Sequence, residues 1–534
     1  LFYYINIREI WCKPLFLTKI KMSAKASLHY VCSLFIGVIV LYSCNSGFQY
    51  SIDTTLNPYD ISPLTANLNI EAENAVSATV NVLGGIPLEQ VFETKSTNLE
   101  IPVVGLYPNA INKVVVTLEY EGGQIKDTIE IITNPLPSYF PTIEINKLDR
   151  SKMEPGMHAC DIHFANRGSF NSGPFIFDDE GKVRWYLDLS AAGEMVSPFQ
   201  RLKDGTLLMV SRNVVYEFDM LGKPLKKTNI NPNYGMHHDV VELPDGNLLI
   251  CVGKKNNFIT VNSQFEVSDS DFIILFDRKN SKIIREWDVA KLLDVSRADL
   301  NFFRPGDWLH MNGLAYDEKD KSIIVSGKNQ GLFKISWNNT LQWILAPNKS
   351  WGKAGRNGEG FETAPFVLTA VDSIGKPYSN PIQQGMESSD SFDYSWGTHA
   401  PILMPNGNLL AFDNGTYRNF EDNVRFSRAV EYHIDEKEKT VTQVWQYGKE
   451  RGQEFFSTIV SDVDYLPTTN NVLATSGYIK KGTNLLGKIV EVDYETGEEV
   501  FEATLYFKST NGNKTSSWGQ TDILYRSERM ELKY

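Results

Sequence analysis

HAPILMPNGNLLAFDNG, residues 399–415, decides the fold. It reads as an apolar strand, an Asn-Gly turn at Asn406-Gly407 and a second apolar strand closing on another Asn-Gly. Two short apolar runs around such a turn make a β-hairpin, because Asn and Gly accept the left-handed backbone that tight turns need. Outward from it, RAVEYHIDEKEKTVTQVWQY (428–447) adds two more strands around an acidic turn and ends near a Trp.

The same unit recurs. HHDVVELPDGNLLICVG begins at His237 and leads to DFIILFDRKNSKIIREWDV. HMNGLAYDEKDKSIIVSGKNQGLFKISWNNTLQWIL begins at His310, and SDVDYLPTTNNVLATSGY begins a copy at Ser461. Two earlier copies start at Cys160 (CDIHFAN…GPFIFDDEGKVRWYLDL) and Phe199 (FQRLKDGTLLMVSRNVVYEFDMLGKPLKKT). Six copies of about four short strands each predict an all-β chain built on a closed six-bladed β-propeller over residues 141–534, with insertions in 255–306 and 346–395. In such a propeller the first strand of each blade lines a central channel.

Upstream, TANLNIEA (65–72) and SATVNVL (77–83) alternate, and 114–120 and 125–132 flank the turn Glu121-Gly122-Gly123-Gln124. These predict a small N-terminal β-sandwich within residues 44–140. NPLPSYFP (134–141) carries three prolines and reads as a stiff linker. Residues 1–43 read as a leader: an upstream extension over 1–21, then Met22, Lys25 and the short apolar run VCSLFIGVIVL (31–41). LYSC (41–44) is similar to the lipobox of bacterial lipoproteins, which implies cleavage, lipidation of Cys44 and anchoring to a bacterial membrane in the periplasm or at the cell surface.

Composition narrows the function. The 534 residues carry 52 Lys and Arg against 65 Asp and Glu, a net charge of −13, with no basic block, so a nucleic-acid partner is not expected. Five Cys in this length make no disulfide scaffold, and no ligand spacing predicts a metal site. Outside the leader, Cys44 apart, only Cys160 and Cys251 remain, and spacing does not decide whether they pair.

Of eight His, four (His237, His238, His310 and His399) stand at the start of three successive copies. His238, His310 and His399 precede the first turn of their copies by about the same offset, so the repeat brings three imidazoles to one end of the expected channel. Asn312 follows His310 by two, which alternation puts on one face. Lys328 lies in the next strand, and Trp308, Trp396 and Tyr234 lie close enough in sequence to wall an aromatic pocket. Such a cluster suits a metal, a nucleophilic imidazole with cations gripping an anion, or anion binding without turnover. An imidazole of ordinary pKa, near 6.5, is neutral and nucleophilic at neutral pH.

DWLHMNGLAYD (307–317), SWGTHAPILMPNGNLLAFDNG (395–415), FSRAVEYHID (426–435) and SDVDYLPTTNNVLATSGY (461–478) resemble the bacterial arylsulfotransferases, the aryl-sulfate sulfotransferases that use no phosphoadenosine cofactor. NPYDISPLTANLNIEAE (57–73) and LEIPVVGLYPN (99–109) resemble that family's N-terminal sandwich. The resemblance implies a periplasmic enzyme without a cofactor. It moves a sulfuryl group from an aryl sulfate donor to a phenolic acceptor by a ping-pong route through a sulfohistidine. Residue by residue it implies His399 as nucleophile, His310 and Asn312 as its helpers, and His238 as the earlier His, with His237 the alternative. Which His moves the proton is left open, as is a homodimer. Two departures stand out: Lys328 occupies the place of an Arg, and the family's short-range disulfide has no matching Cys pair. The rival expectation is a surface-anchored propeller that binds anionic or sulfated ligands without turnover.

Overall fold

Alternating burial sets the first strands of the computed structural model, which describes residues 48–534 apart from 94–95, 167–168, 191–196, 262, 269–270, 298–304, 422, 483 and 509–520. Ala66–Ala72, and Ala75–Val82 from Ala78 on, turn every second residue inward, as a half-buried strand must. The first lies between Tyr50–Leu56 and Asn98–Val103 in a three-stranded sheet. The second joins Leu88–Glu93, Ile111–Tyr120 and Gly123–Ile132 in a four-stranded one. Leu68, Ile70, Val80, Val114 and Val116 belong to one buried cluster shared by the two sheets, the packing that makes a sandwich. The leader and Cys44 lie outside the described residues.

Beyond Pro141 each repeat copy forms a sheet of its own. The copy from Phe199 gives Phe199–Arg201, Leu207–Ser211, Val214–Phe218 and Pro224–Asn229 in that order. The copies from His237, His310 and His399 do the same, the last with Thr369–Ala370 added in parallel at its outer edge. Central strands such as Leu207–Ser211, Ser322–Gly327 and Leu409–Asp413 are buried at every residue, which is why they read as continuous apolar runs and not as alternations. The two ends of the repeat region are exchanged. Thr142–Leu148 pairs with Glu499–Tyr506 of the last copy, and Ile523–Met530 pairs with Met157–Asn166 of the first.

The expectation of a closed six-bladed β-propeller is corrected. The described strands form nine separate sheets, each an open run of two to five strands, and none closes on itself. The all-β class and the succession of sheets hold; closure does not. Asp-Gly and Asn-Gly turns report which neighbouring strands pair, and no local signal reports closure, which is a long-range property. Cys160 and Cys251 are both buried free thiols.

Candidate active site

Each of the three strands that carry or directly follow a predicted His is irregular near that His. The strand Tyr234–Glu242 shifts register between Met236 and Val240, and His238 there has φ 56°. His310, φ 47°, immediately precedes Met311–Asp317, which shifts between Met311 and Gly313. His399 opens His399–Leu403, which shifts between His399 and Ile402, with Ala400 at φ 47°. A bulge re-aims side chains, and left-handed backbone at a non-glycine residue costs roughly 1–3 kcal/mol, so neighbouring contacts must hold it. Gly313 is one such contact: a Cβ there would lie 2.4 Å from Pro401 Cδ and 3.2 Å from the Ala400 nitrogen, so only glycine lets the two strands close up.

The imidazoles meet. The rings of His238 and His310 lie 5.0 Å apart at 69°, and those of His237 and His238 5.1 Å apart, with Nδ1 to Nδ1 at 3.0 Å. Lys328 donates its backbone N–H to the His310 carbonyl at 3.1 Å. Asn312 is the bulge residue, so simple alternation fails there. Its Nδ2 instead donates to the Thr398 carbonyl at 2.8 Å, and Ser326 Oγ donates to the same oxygen at 2.9 Å, which ties this copy to the residue before His399. Asn312 Oδ1 is buried with no hydrogen-bond partner.

Burial depresses these groups. His399 falls to about 3, by burial first and then by the charges of Lys328 and His310. His237 falls to about 4, by burial and then His310. His238 falls well below the usual imidazole value through burial, then His310, His237, His399 and Lys328. Burial also lowers Lys328, with Asp307 opposing. The ordinary value expected for the His399 imidazole is therefore corrected: buried beside a cation, it stays neutral far into acid.

Three supports escaped the reading of the sequence. His399 Nδ1 lies 2.7 Å from Asn414 Oδ1, inside the quoted 395–415 segment. His310 Nδ1 faces both oxygens of Asp307, at 3.0 and 3.1 Å, again inside a quoted segment. Tyr525 Oη and Arg526 Nη2 donate to the His238 carbonyl at 3.2 and 3.4 Å, and Arg526 pairs with Asp239 at 3.0 Å. Both come from the exchanged last strand, and no local signal links it to His238.

The three aromatic residues divide. Trp396 lines a cavity with Lys328, Asn329, Thr416 and Tyr417, while its indole donates to Asp393. Trp308 is 1% exposed in an apolar core cluster and donates to Ser268 Oγ, so it packs the core. Tyr234 donates to Glu286 at 2.5 Å, beside Lys254. Neither joins the imidazole cluster. Among the described residues no three His, Cys, Asp or Glu side chains are arranged to hold a metal ion.

Comparison with known proteins points one way. The arylsulfotransferase family model matches residues 147–517, and the model of the arylsulfotransferase Ig-like domain matches residues 54–134. The chain is 30% identical over 573 residues to the arylsulfate sulfotransferase AssT of Lelliottia amnigena, covering 88% of this chain and 94% of that one. It is 29% identical over 538 residues to the arylsulfate sulfotransferase AssT of Escherichia coli O6:H1, covering 83% and 88%. Among solved structures, a protein of unknown function from Bacteroides caccae aligns with a TM-score of 0.40 and 12% identity over 70% of this chain and 98% of its own, too distant to carry an argument.

Proposed function

The chain belongs to the arylsulfotransferase family and is a sulfotransferase that moves a sulfuryl group; on that premise we propose that it does so through a sulfohistidine on His399. The observation that carries this is the tautomer of His399. The Asn414 amide nitrogen donates to the carbonyls of Ser457 and Val460 at 2.7 and 3.1 Å, so its oxygen is the acceptor facing His399. His399 therefore carries its proton on Nδ1, and Nε2 is left with a lone pair. Its depressed pKa keeps that lone pair free of protons at neutral pH.

The first half-reaction forms the bond from His399 Nε2 to sulfur and breaks the bond from sulfur to the aryl oxygen, whose electron pair leaves on phenolate. Lys328, the neighbouring imidazoles and the Asn312 amide proton not given to Thr398 are the donors that stabilise charge growing on the sulfuryl and phenolate oxygens. The second half-reaction returns the sulfuryl group to an incoming phenol. Phenols suit the chemistry because phenolate is a better leaving group than an alkoxide. The reading as a non-catalytic binder is set aside with family membership. The proposal includes anchoring of the enzyme at a bacterial membrane, facing the periplasm or the cell surface, through Cys44, for which the sequence is the support. Loss of membrane association in Cys44→Ser tests it.

The mechanism is tested by adding an aryl sulfate donor without acceptor. We expect one equivalent of phenol released in a burst and the mass of one SO3 on the peptide carrying His399. Release without a burst, or an adduct elsewhere, overturns it.

A further inference from the structure

We infer that Asp307 is a positioning residue that makes His310 the proton carrier of both half-reactions. The inference rests on the sulfohistidine reading above. Asp307 ends the short turn Pro305–Asp307, three residues before His310, and its two oxygens face His310 Nδ1 at 3.0 and 3.1 Å. A carboxylate only accepts, so Nδ1 carries a proton, and Nε2 is the nitrogen left to give up and take back a second one. The turn is itself held in place. Asn329 Nδ2 donates to the Asp307 carbonyl at 2.7 Å, and a Cβ on Gly306 would lie 2.1 Å from the Val267 carbonyl, so the backbone there packs too tightly for another residue.

The other imidazoles are less suited to the task. His399 is spent as the nucleophile. His238 shares its Nδ1 contact with His237, faces no carboxylate through it and is driven towards the neutral form by burial. His310 is the member of the cluster whose ring nitrogen is hydrogen-bonded to a carboxylate, and its side chain is a quarter exposed, at 26%. Among the described residues, the charged and titratable groups in electrostatic contact with this pair include Lys328, His237, His238 and His399.

In the first half-reaction His310 Nε2–H gives its proton to the departing phenolate oxygen as the sulfur–oxygen bond breaks. The imidazolium becomes a neutral ring still protonated on Nδ1. In the second, Nε2 takes the proton of the incoming phenol as its oxygen bonds to sulfur, and the nitrogen–sulfur electron pair returns to His399. Charge and protons balance over the cycle with no further reactant. Asp307 touches no substrate in this scheme; it fixes which nitrogen of His310 does the work and offsets the positive charge on the ring.

The test is Asp307→Asn, nearly isosteric, with Asp307→Glu as the conservative control. The readout is kcat/KM for the donor, which reports the first half-reaction. A donor with a poor leaving group, 4-methylphenyl sulfate, needs the proton; 4-nitrophenyl sulfate scarcely does. We expect Asp307→Asn to lose roughly 100-fold or more on the first donor, as for a lost general acid, and less than about 10-fold on the second. Asp307→Glu should recover most of the difference. Equal losses on both donors, with the SO3 adduct still forming on His399, overturn the inference alone. No adduct on His399 in the parent enzyme overturns the reading beneath it.

Discussion

His399 Nδ1 and Asn414 Oδ1 lie 2.7 Å apart, and the Asn414 amide is clamped on its other side by the carbonyls of Ser457 and Val460. The proposed nucleophile is thus oriented by a neutral partner, whereas His310, just before the first strand of another sheet, is oriented by a carboxylate. A neutral partner fixes the ring and its tautomer without stabilising an imidazolium. That suits a nitrogen that must stay unprotonated in order to attack, just as a carboxylate suits a ring that must carry charge.

Asn414→Ala removes that orientation while leaving His399 in place. Misplacing a reacting atom by about 1 Å costs on the order of 100-fold, so we expect kcat to fall by roughly that factor with KM changed little. Burst amplitude should stay near one equivalent while the burst slows. An unchanged burst rate would show that the imidazole is held by packing alone.

His399→Ala should abolish transfer altogether and yield a folded protein, because the ring's hydrogen bonds, to Asn414 and the Gly397 carbonyl, tie it to residues flanking its own hairpin. The informative measurement is the adduct. Donor added to the variant should leave no SO3 on any His, and Asn414→Ala should still show it on His399. Turnover in His399→Ala above a hundredth of the parent rate would exclude a covalent route through this residue.

These partners show what the sequence made legible. The repeats put His238, His310 and His399 in a common register, and hairpin turns located their strands; both signals are local and survive folding. Asn414 and Asp307 lay within segments that the sequence reading singled out but gave no sign of their tasks, since Asn414 lies just past the end of its strand and Asp307 in a short turn, where strand alternation places no side chain. Tyr525 and Arg526 were beyond reach, 287 residues from the His238 carbonyl or nearly so, because an exchanged terminal strand has no neighbour in sequence. Trp308 was over-read for the converse reason. Nearness in sequence says nothing of which face a side chain takes, and its indole went to the core. Closure into a propeller was over-read because repeats specify units and not their arrangement.

Buried His399 also leaves a mark on stability. Its pKa is about 3 in the folded protein against roughly 6.5 in an unfolded chain, so between these values the unfolded state binds the extra proton. Stability contributed by the neutral ring is therefore present above pH 6.5 and lost as pH falls towards 3. A non-titrating His399→Gln lacks that loss. We expect its stability relative to the parent to improve by about 1 kcal/mol per pH unit as pH is lowered from 6 to 4, read from urea midpoints. Comparing the two proteins at each pH cancels other groups, such as Asp522, which burial pushes up to about 7. A difference independent of pH would show that His399 protonates readily in the folded state, and would count against it as a buried neutral nucleophile.

Lys328 carries the remaining test. It stands just after the buried strand Ser322–Gly327, its backbone bonded to His310, and it lines the cavity shared with Trp396 and Tyr417. Its charge helps depress both His399 and His238, so it lies within electrostatic reach of the proposed nucleophile. A Lys there is a point charge on a flexible stem, where the Arg implied by the resemblance would offer a planar fork to two sulfuryl oxygens. Lys328→Met should cut kcat/KM for the donor by roughly 100-fold or more, as for a lost oxyanion donor. It should also raise the His399 pKa, because the cation that opposes protonation is gone. Lys328→Arg should keep the rate or increase it, with the fork gripping the group in the transition state more firmly than the ammonium does. Steady-state kinetics on the two variants, with the urea midpoints of Lys328→Met measured from pH 6 to 4, separate the two effects. A near-parental rate in Lys328→Met would remove the ammonium from the transition state and leave it only the task of keeping His399 neutral.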